Sequence, residues 1–137
     1  MGDKFLKKII AQNQEDLRVI SALCSEAKIK QSDIKFLKKN KIFLISLQRQ
    51  NKEKNDSKGK INSIVKFEFI DESKSKNINQ NIEENILELI AIEAYKKEEN
   101  YEIILLFSNN GIINLFCEII DCTLEDVKLT NDKNFKL

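Results

Sequence analysis

The stretch YEIILLFSNNGIINLFCEI, residues 101–119, decides the fold. Ile103, Leu105 and Phe107 stand two apart and share one face of an extended strand. Asn110 and Gly111 then supply residue types that tolerate positive φ in a tight turn. Ile113, Leu115, Cys117 and Ile119 line one face of the returning strand, with Asn114 and Glu118 on the other. A period of two on both sides of a turn predicts an antiparallel hairpin.

The same period recurs upstream. Val65, Phe67 and Phe69 alternate with Lys66 and Glu68, which predicts a strand buried on one face. Ile34 to Phe36 and Ile42 to Leu47 flank the turn Lys38-Lys39-Asn40-Lys41, with Phe43, Ile45 and Leu47 pointing to one side. Strands are also expected over residues 4–11 and from Ile29, with a bend at Ser32 or Asp33. Ile86 to Tyr95 does not alternate. Leu87 and Leu89 share one parity while Ile90, Ile92 and Ala94 share the other, so either both faces are covered or a bulge shifts the register. A helix also fits Ile82, Ile86, Leu89, Ile90 and Glu93; the density of β-branched residues favours the strand.

One helical pattern stands out. Asn13 can cap it, Glu15 and Asp16 occupy its first turn, and Leu17, Ile20, Leu23, Cys24 and Ala27 recur at spacings of three and four. Residues 51–60 (NKEKNDSKGK) and about 72–85 are polar and read as loops. Leu124 and Val127 are expected to close the core, and residues 128–137 to form a tail. The expectation is one α+β domain over residues 1–137, its core at about 4–127. It is mainly antiparallel β-sheet or a small, partly closed β-barrel of six to seven strands, with one N-terminal amphipathic helix. A pleckstrin-homology-like barrel is an analogy consistent with that count.

Composition removes several chemistries. The chain has no His, so the common nucleophilic triads lack their base and a zinc site lacks its usual ligands. Its three glycines lie far apart and form no phosphate loop. No cofactor, metal site or catalytic residue is expected. Three cysteines, Cys24, Cys117 and Cys122, at apolar positions argue against a secreted disulfide scaffold. No apolar run approaches a transmembrane length. The expectation is a soluble, cytoplasmic protein that engages no membrane. Lys, Ile, Asn and Phe are abundant, as in AT-rich genomes, so lysine counts carry little weight. Residues 1–70 hold 16 Lys+Arg against 8 Asp+Glu, and residues 71–137 hold 7 against 14, within a net charge of +1. In an antiparallel fold the halves are expected to interleave and blur that polarity.

Other features point to a family. Ile10-Ala11, Glu15-Asp16-Leu17, Ser21-Ala22, Asp33 and Phe43 are followed by Leu89-Ile90-Ala91-Ile92. Gly111, Ile113, Leu115, Glu118, Ile120, Asp121, Leu124 and Asp126 then fall at ordered spacings. Across residues 4–127 this resembles the alphaproteobacterial domain-of-unknown-function family 2948. Two departures stand out. Leu47-Gln48-Arg49-Gln50-Asn51 lacks the Trp that family carries at the end of its second hairpin strand, and Asn114 replaces its Arg. The resemblance implies a bacterial, cytoplasmic protein and implies no mechanism.

Function is reached by elimination. The leading expectation is a non-catalytic domain that binds another protein through a sheet edge or the helix–sheet groove. A small enzyme built on carboxylates is the alternative, with Asp33, Glu118, Asp121 and the pair Glu125-Asp126 as candidates. Glu118 and Asp121 are expected on opposite faces of the last strand. A third reading is RNA or anionic-ligand binding through the lysine-rich hairpin 28–41, where Lys38, Lys39 and Lys41 lie near Phe36 and Phe43. The net charge and the inward parity of those aromatics make nucleic acid the weaker reading. Asn114 completes the set of binding candidates.

Overall fold

A computed structural model describes residues 7–50, 59–79 and 84–127. Of the expected loop at 51–60, residues 51–58 lie outside the described residues, as does the tail at 128–137, and Lys60 already belongs to a strand.

The hairpin at residues 101–119 forms as two strands. β8 (Asn100–Phe107) pairs antiparallel with β9 (Ile112–Cys117), with Ile103 opposite Leu115 and Leu105 opposite Ile113. These inward side chains are buried. The turn differs from expectation. Positive φ falls on Asn109 (62°) and Asn110 (64°), while Gly111 sits at −73°. Gly111 is needed for space: a Cβ there would meet Ile78 Cγ1 and Phe107 Cβ, each at 3.3 Å. Ile119 is half-exposed because β9 ends at Cys117; Ile120 takes the buried place.

The helix α1 (Gln14–Cys24) begins where Asn13 Oδ1 accepts the Asp16 backbone N–H at 2.7 Å. Leu17, Ile20 and Cys24 face the core, each apolar side chain contributing roughly 1.5–3 kcal/mol by leaving water. Ala27, the last residue of the expected stripe, is buried but lies past the helix.

Before the helix stands β1 (Lys8–Ala11); residues 4–6 of the expected first strand lie outside the described residues. After it come β2 (Lys28–Lys30), a 3-10 turn at Gln31–Asp33, and β3 (Ile34–Leu37). A second 3-10 turn at Lys38–Asn40 leads to β4 (Ile42–Gln50), and β5 (Lys60–Phe67) follows. β6 (Ile70–Lys76), β7 (Ile86–Lys97) and β10 (Cys122–Val127) complete ten strands, not six or seven. The described pairings are all antiparallel. The order is β1-β10-β5-β4-β2-β7-β8-β9-β6, with β3 paired to β4 off this path, and the sheet does not close.

β6 occupies a stretch expected to be loop. Ile70 alone of its residues is fully buried, so no alternation of apolar side chains marks it; its ladder with β9 makes it a strand. β10 pairs β5 and buries Cys122, Leu124 and Asp126; the inward Asp126 breaks the apolar pattern. Residues 86–95 are strand, with a register shift between Leu89 and Ala91. Phe69 does not continue β5. It sits at φ 61° in a turn, 47% exposed, and Ile70 is buried instead.

The chain's halves segregate instead of interleaving. β1 to β5 lie on one side of the β2–β7 seam and β6 to β9 on the other; β10 alone crosses over to join the first group.

Candidate functional site

β7 is twelve residues long, and its two edges are covered unequally. β8 pairs one edge from Leu89 to Lys97. β2 pairs the other edge only from Ile86 to Glu88. Beyond that point α1 and the turn after it take the place of a strand. The Glu26 N–H donates to Leu89 O at 2.7 Å, and the Leu89 N–H donates to Ala27 O at 2.9 Å. Ser21 Oγ accepts the Ile92 N–H at 2.9 Å. Gln14 Nε2 donates to Ala94 O at 2.8 Å.

The alternation of an antiparallel strand aims the N–H and C=O of one residue to the same side. Ile92 and Ala94 therefore turn their main-chain groups toward α1, and Lys96 does the same one step on. Two side chains stand where ladder partners would stand. Between helix and strand runs a groove of about 450 Å³, lined by Leu17, Arg18 and Ala22 of α1 and by Ile90, Ile92 and Tyr95 of β7. Ile90 is 51% exposed and Tyr95 47% exposed, so the strand offers apolar surface to solvent beside the edge that α1 flanks. Tyr95 Oη donates to Glu93 Oε1 at 2.7 Å, and that bond to a carboxylate raises the phenol's pKa.

Most of the residues singled out by sequence lie apart; Asp121 and Glu125 alone share a cavity, one of about 340 Å³ that Glu68, Lys8 and Lys66 also line. Asp33 closes the first 3-10 turn. Lys38 and Lys39 are exposed in the second, and Lys41 leaves it at φ 59° with an ion pair to Asp71 at 3.0 Å. Asn114 lies in β9 and donates to Glu102, which also meets Lys97 at 2.6 Å. The Lys97 bond foremost holds Glu102 below the usual carboxylate range, against the effect of burial. Glu118 and Asp121 are not on a strand; they lie in the connection from β9 to β10, where Asp121 O accepts the Glu68 N–H at 2.9 Å. Among the described residues no group of three or more Cys, Asp or Glu side chains could hold a metal.

Sequence reasoning named Asp126 as a candidate carboxylate but missed the buried cluster to which it belongs. Arg49 of β4 and Asp126 of β10 have fully buried side chains and pair at 2.9 Å. Arg49 Nε and Nη2 both donate to Asp126 Oδ1, at 3.2 and 3.1 Å, and Ser63 Oγ donates to the same oxygen at 2.7 Å. The Lys7 backbone N–H donates to Oδ2 at 3.0 Å. Burial would raise this carboxyl, but the bonds from Arg49, Ser63 and Lys7 outweigh it and hold the pKa below the usual value. With both oxygens engaged, Asp126 serves as a clamp tying β4, β5 and β10. The available signal was parity: Arg49 continues the inward series Phe43, Ile45, Leu47.

The sequence profile of the family described as "Protein of unknown function (DUF2948)" matches residues 7–135. The chain belongs to this family. The match takes in every strand described above and the whole α1–β7 groove. No curated protein and no solved structure matches the chain.

Proposed function

We propose that this member of the family is a non-catalytic protein-binding module that receives an extended segment of a partner along β7, beside α1. The observation that carries the reading is the β7 edge beyond Glu88, held by the side chains of Ser21 and Gln14 instead of a strand. Strand addition to such an edge is a recurring mode of peptide recognition: main-chain bonds supply affinity and flanking pockets supply selectivity. The groove beside Ile90 and Tyr95 is such a pocket. Asp33 lies in the turn before β3, away from Glu118 and Asp121 in the β9–β10 connection, and the full set of candidate carboxylates forms no single site, which favours binding over a carboxylate enzyme. Three buried cysteine thiols support a reducing, cytoplasmic setting. Among the described residues no helix is long and apolar enough to cross a membrane.

The test is selection of binding peptides from a random displayed library, followed by anisotropy titration of the best sequences. Ala94→Pro removes one edge N–H, and proline is tolerated where a strand's N–H faces outward. Selected peptides are expected to bind Ala94→Pro about tenfold more weakly than wild type, consistent with loss of about 1.4 kcal/mol. Binding should also slow amide exchange at Ala94 and Lys96. Failure to enrich any peptide, or equal binding by wild type and a folded Ala94→Pro, would refute the reading.

A further inference from the structure

We infer that Gln14 is a gate on the β7 edge: its side-chain amide holds the Ala94 carbonyl in the free protein, and an arriving segment swings it aside while α1 stays in place. Gln14 thus controls access to the site proposed above, and the gate stands only if that site does. Three kinds of contact close the edge in turn. At Leu89 the bonds run main chain to main chain, from Glu26 and to Ala27. At Ile92 the half-buried Ser21 takes the N–H. At Ala94 the exposed Gln14 donates to the carbonyl at 2.8 Å. Closure of the edge therefore weakens along β7 toward the hairpin tip.

The packing of α1 decides which contact can yield. Leu17, Ile20 and Cys24 are 1%, 0% and 0% exposed. Lifting the helix off β7 would return all three to water, at a cost far above that of one hydrogen bond. Ser21 has a short side chain, so the helix backbone stands directly behind its contact with Ile92. Turning that hydroxyl away leaves no room for a strand. Gln14 differs on each count. It is the first residue of α1, its side chain is long, and it is exposed. The helix cap does not depend on it, since Asn13 Oδ1 accepts the Asp16 N–H. Gln14 lines the groove of about 450 Å³, which gives the swung amide room. Water bonds the amide as it leaves, so a change of rotamer is enough to open the gate.

Opening frees the main chain at one end only. The Ala94 carbonyl loses its partner, and the Ala94 N–H and the main-chain groups of Lys96 lie on the same side by strand alternation. Ile92 stays with Ser21. An added strand therefore pairs with β7 from Ala94 outward and stops short of Ile92. Its N–H replaces Gln14 Nε2 at the same carbonyl, so its affinity is reduced by the fraction of molecules in which the gate is shut.

The experiment selects peptides from a displayed random library on wild-type protein and, in parallel, on Gln14→Ala. Each selected peptide is then titrated by anisotropy against both proteins, Gln14→Glu and Ala94→Pro. Gln14→Glu keeps the length of the side chain but carries no donor at pH 7, and an acid suits the first turn of a helix. Both Gln14 variants are expected to bind about two- to tenfold tighter than wild type, as removal of one competing hydrogen bond predicts, with melting curves close to wild type. In nitrogen-edited spectra of wild type, the Gln14 side-chain amide signals should move to the position of a solvated amide as peptide saturates the protein. Enrichment on neither protein, or indifference of binding to a folded Ala94→Pro, would overturn the site and the gate together. Peptides that lose affinity for Ala94→Pro yet bind the Gln14 variants no tighter than wild type would overturn the gate alone, as would Gln14 amide signals unmoved at saturation.

Discussion

Asp126→Ala should be the most destabilising single substitution among the polar residues of the core. The side chains of Arg49 and Asp126 are each 0% exposed. Removing the carboxylate takes the buried counter-charge from the guanidinium and a shared acceptor from the Ser63 hydroxyl and the Lys7 N–H. Breaking a buried ion pair from one side costs about 3–5 kcal/mol. Domains of this size have only about 5–15 kcal/mol in total. At a few degrees per kcal/mol, the melting temperature should fall by roughly 10–20 °C. Arg49→Met combined with Asp126→Leu should recover most of that loss, since a matched apolar pair leaves no buried charge. Thermal melts by circular dichroism, read as a double-mutant cycle, measure both effects. The sign of the pH dependence follows from the lowered pKa of Asp126. Its stabilisation is complete above the unfolded-state pKa near 4 and is lost as pH falls through the lower folded value. The gap between wild type and Asp126→Ala should therefore narrow in acid. A single variant that melts within about 3 °C of wild type at pH 7, or a gap that widens as pH falls, would refute the reasoning.

Two further outcomes follow from the core. Cys117 is pushed up to about 11 and Cys122 well above its ordinary value, in both cases chiefly by burial. With Cys24 also buried, native protein at pH 8 should react negligibly with a disulfide reagent such as Ellman's, and denatured protein should release three equivalents of chromophore; prompt labelling of the native state would contradict that burial. Gly111→Ala should cost about 1–2 kcal/mol by overpacking against Ile78 and Phe107. Asn110→Gly, at a positive φ, should be close to neutral or stabilising in the same denaturant titrations.

Local rules made the antiparallel character, the helix and the central hairpin legible, because each rests on apolar residues repeating along one face. Ile103, Leu105, Ile113 and Leu115 carry their partners' register in their own spacing. β6 was illegible for the opposite reason. Its Ser73 and Ser75 line a cleft and, Ile70 aside, its remaining residues are exposed, so its strand character comes from β9. The β7 edge is legible only in part. The irregular parity of Ile86 to Tyr95 predicted a bulge or two covered faces, and the register does shift after Leu89. That the edge beyond Glu88 is left to Ser21 and Gln14 depends on where α1 packs, and no residue in β7 encodes it. Arg49 and Asp126 were obscured by the expectation that charges on strands face solvent, which holds for most but fails where a pair is satisfied in the interior.

Segregation of the halves changes the meaning of the charge asymmetry. With the first half basic and the second acidic, two lobes meeting at the β2–β7 seam attract each other. Lys28 pairs with Glu88 at 2.6 Å and Lys30 with Glu84 at 3.8 Å, both across that seam. Lys41 pairs with Asp71 where β6 approaches the turn before β4. All three join a lysine from the first half to a carboxylate from the second. Each is exposed, so each contributes at most about 1 kcal/mol and is weakened by salt. Their position matters more than their strength, because β2 meets β7 through only three residue pairs. A short ladder between lobes of opposite charge gains orientation from such pairs, and the third of them ties β6 to the turn before β4, away from the seam itself.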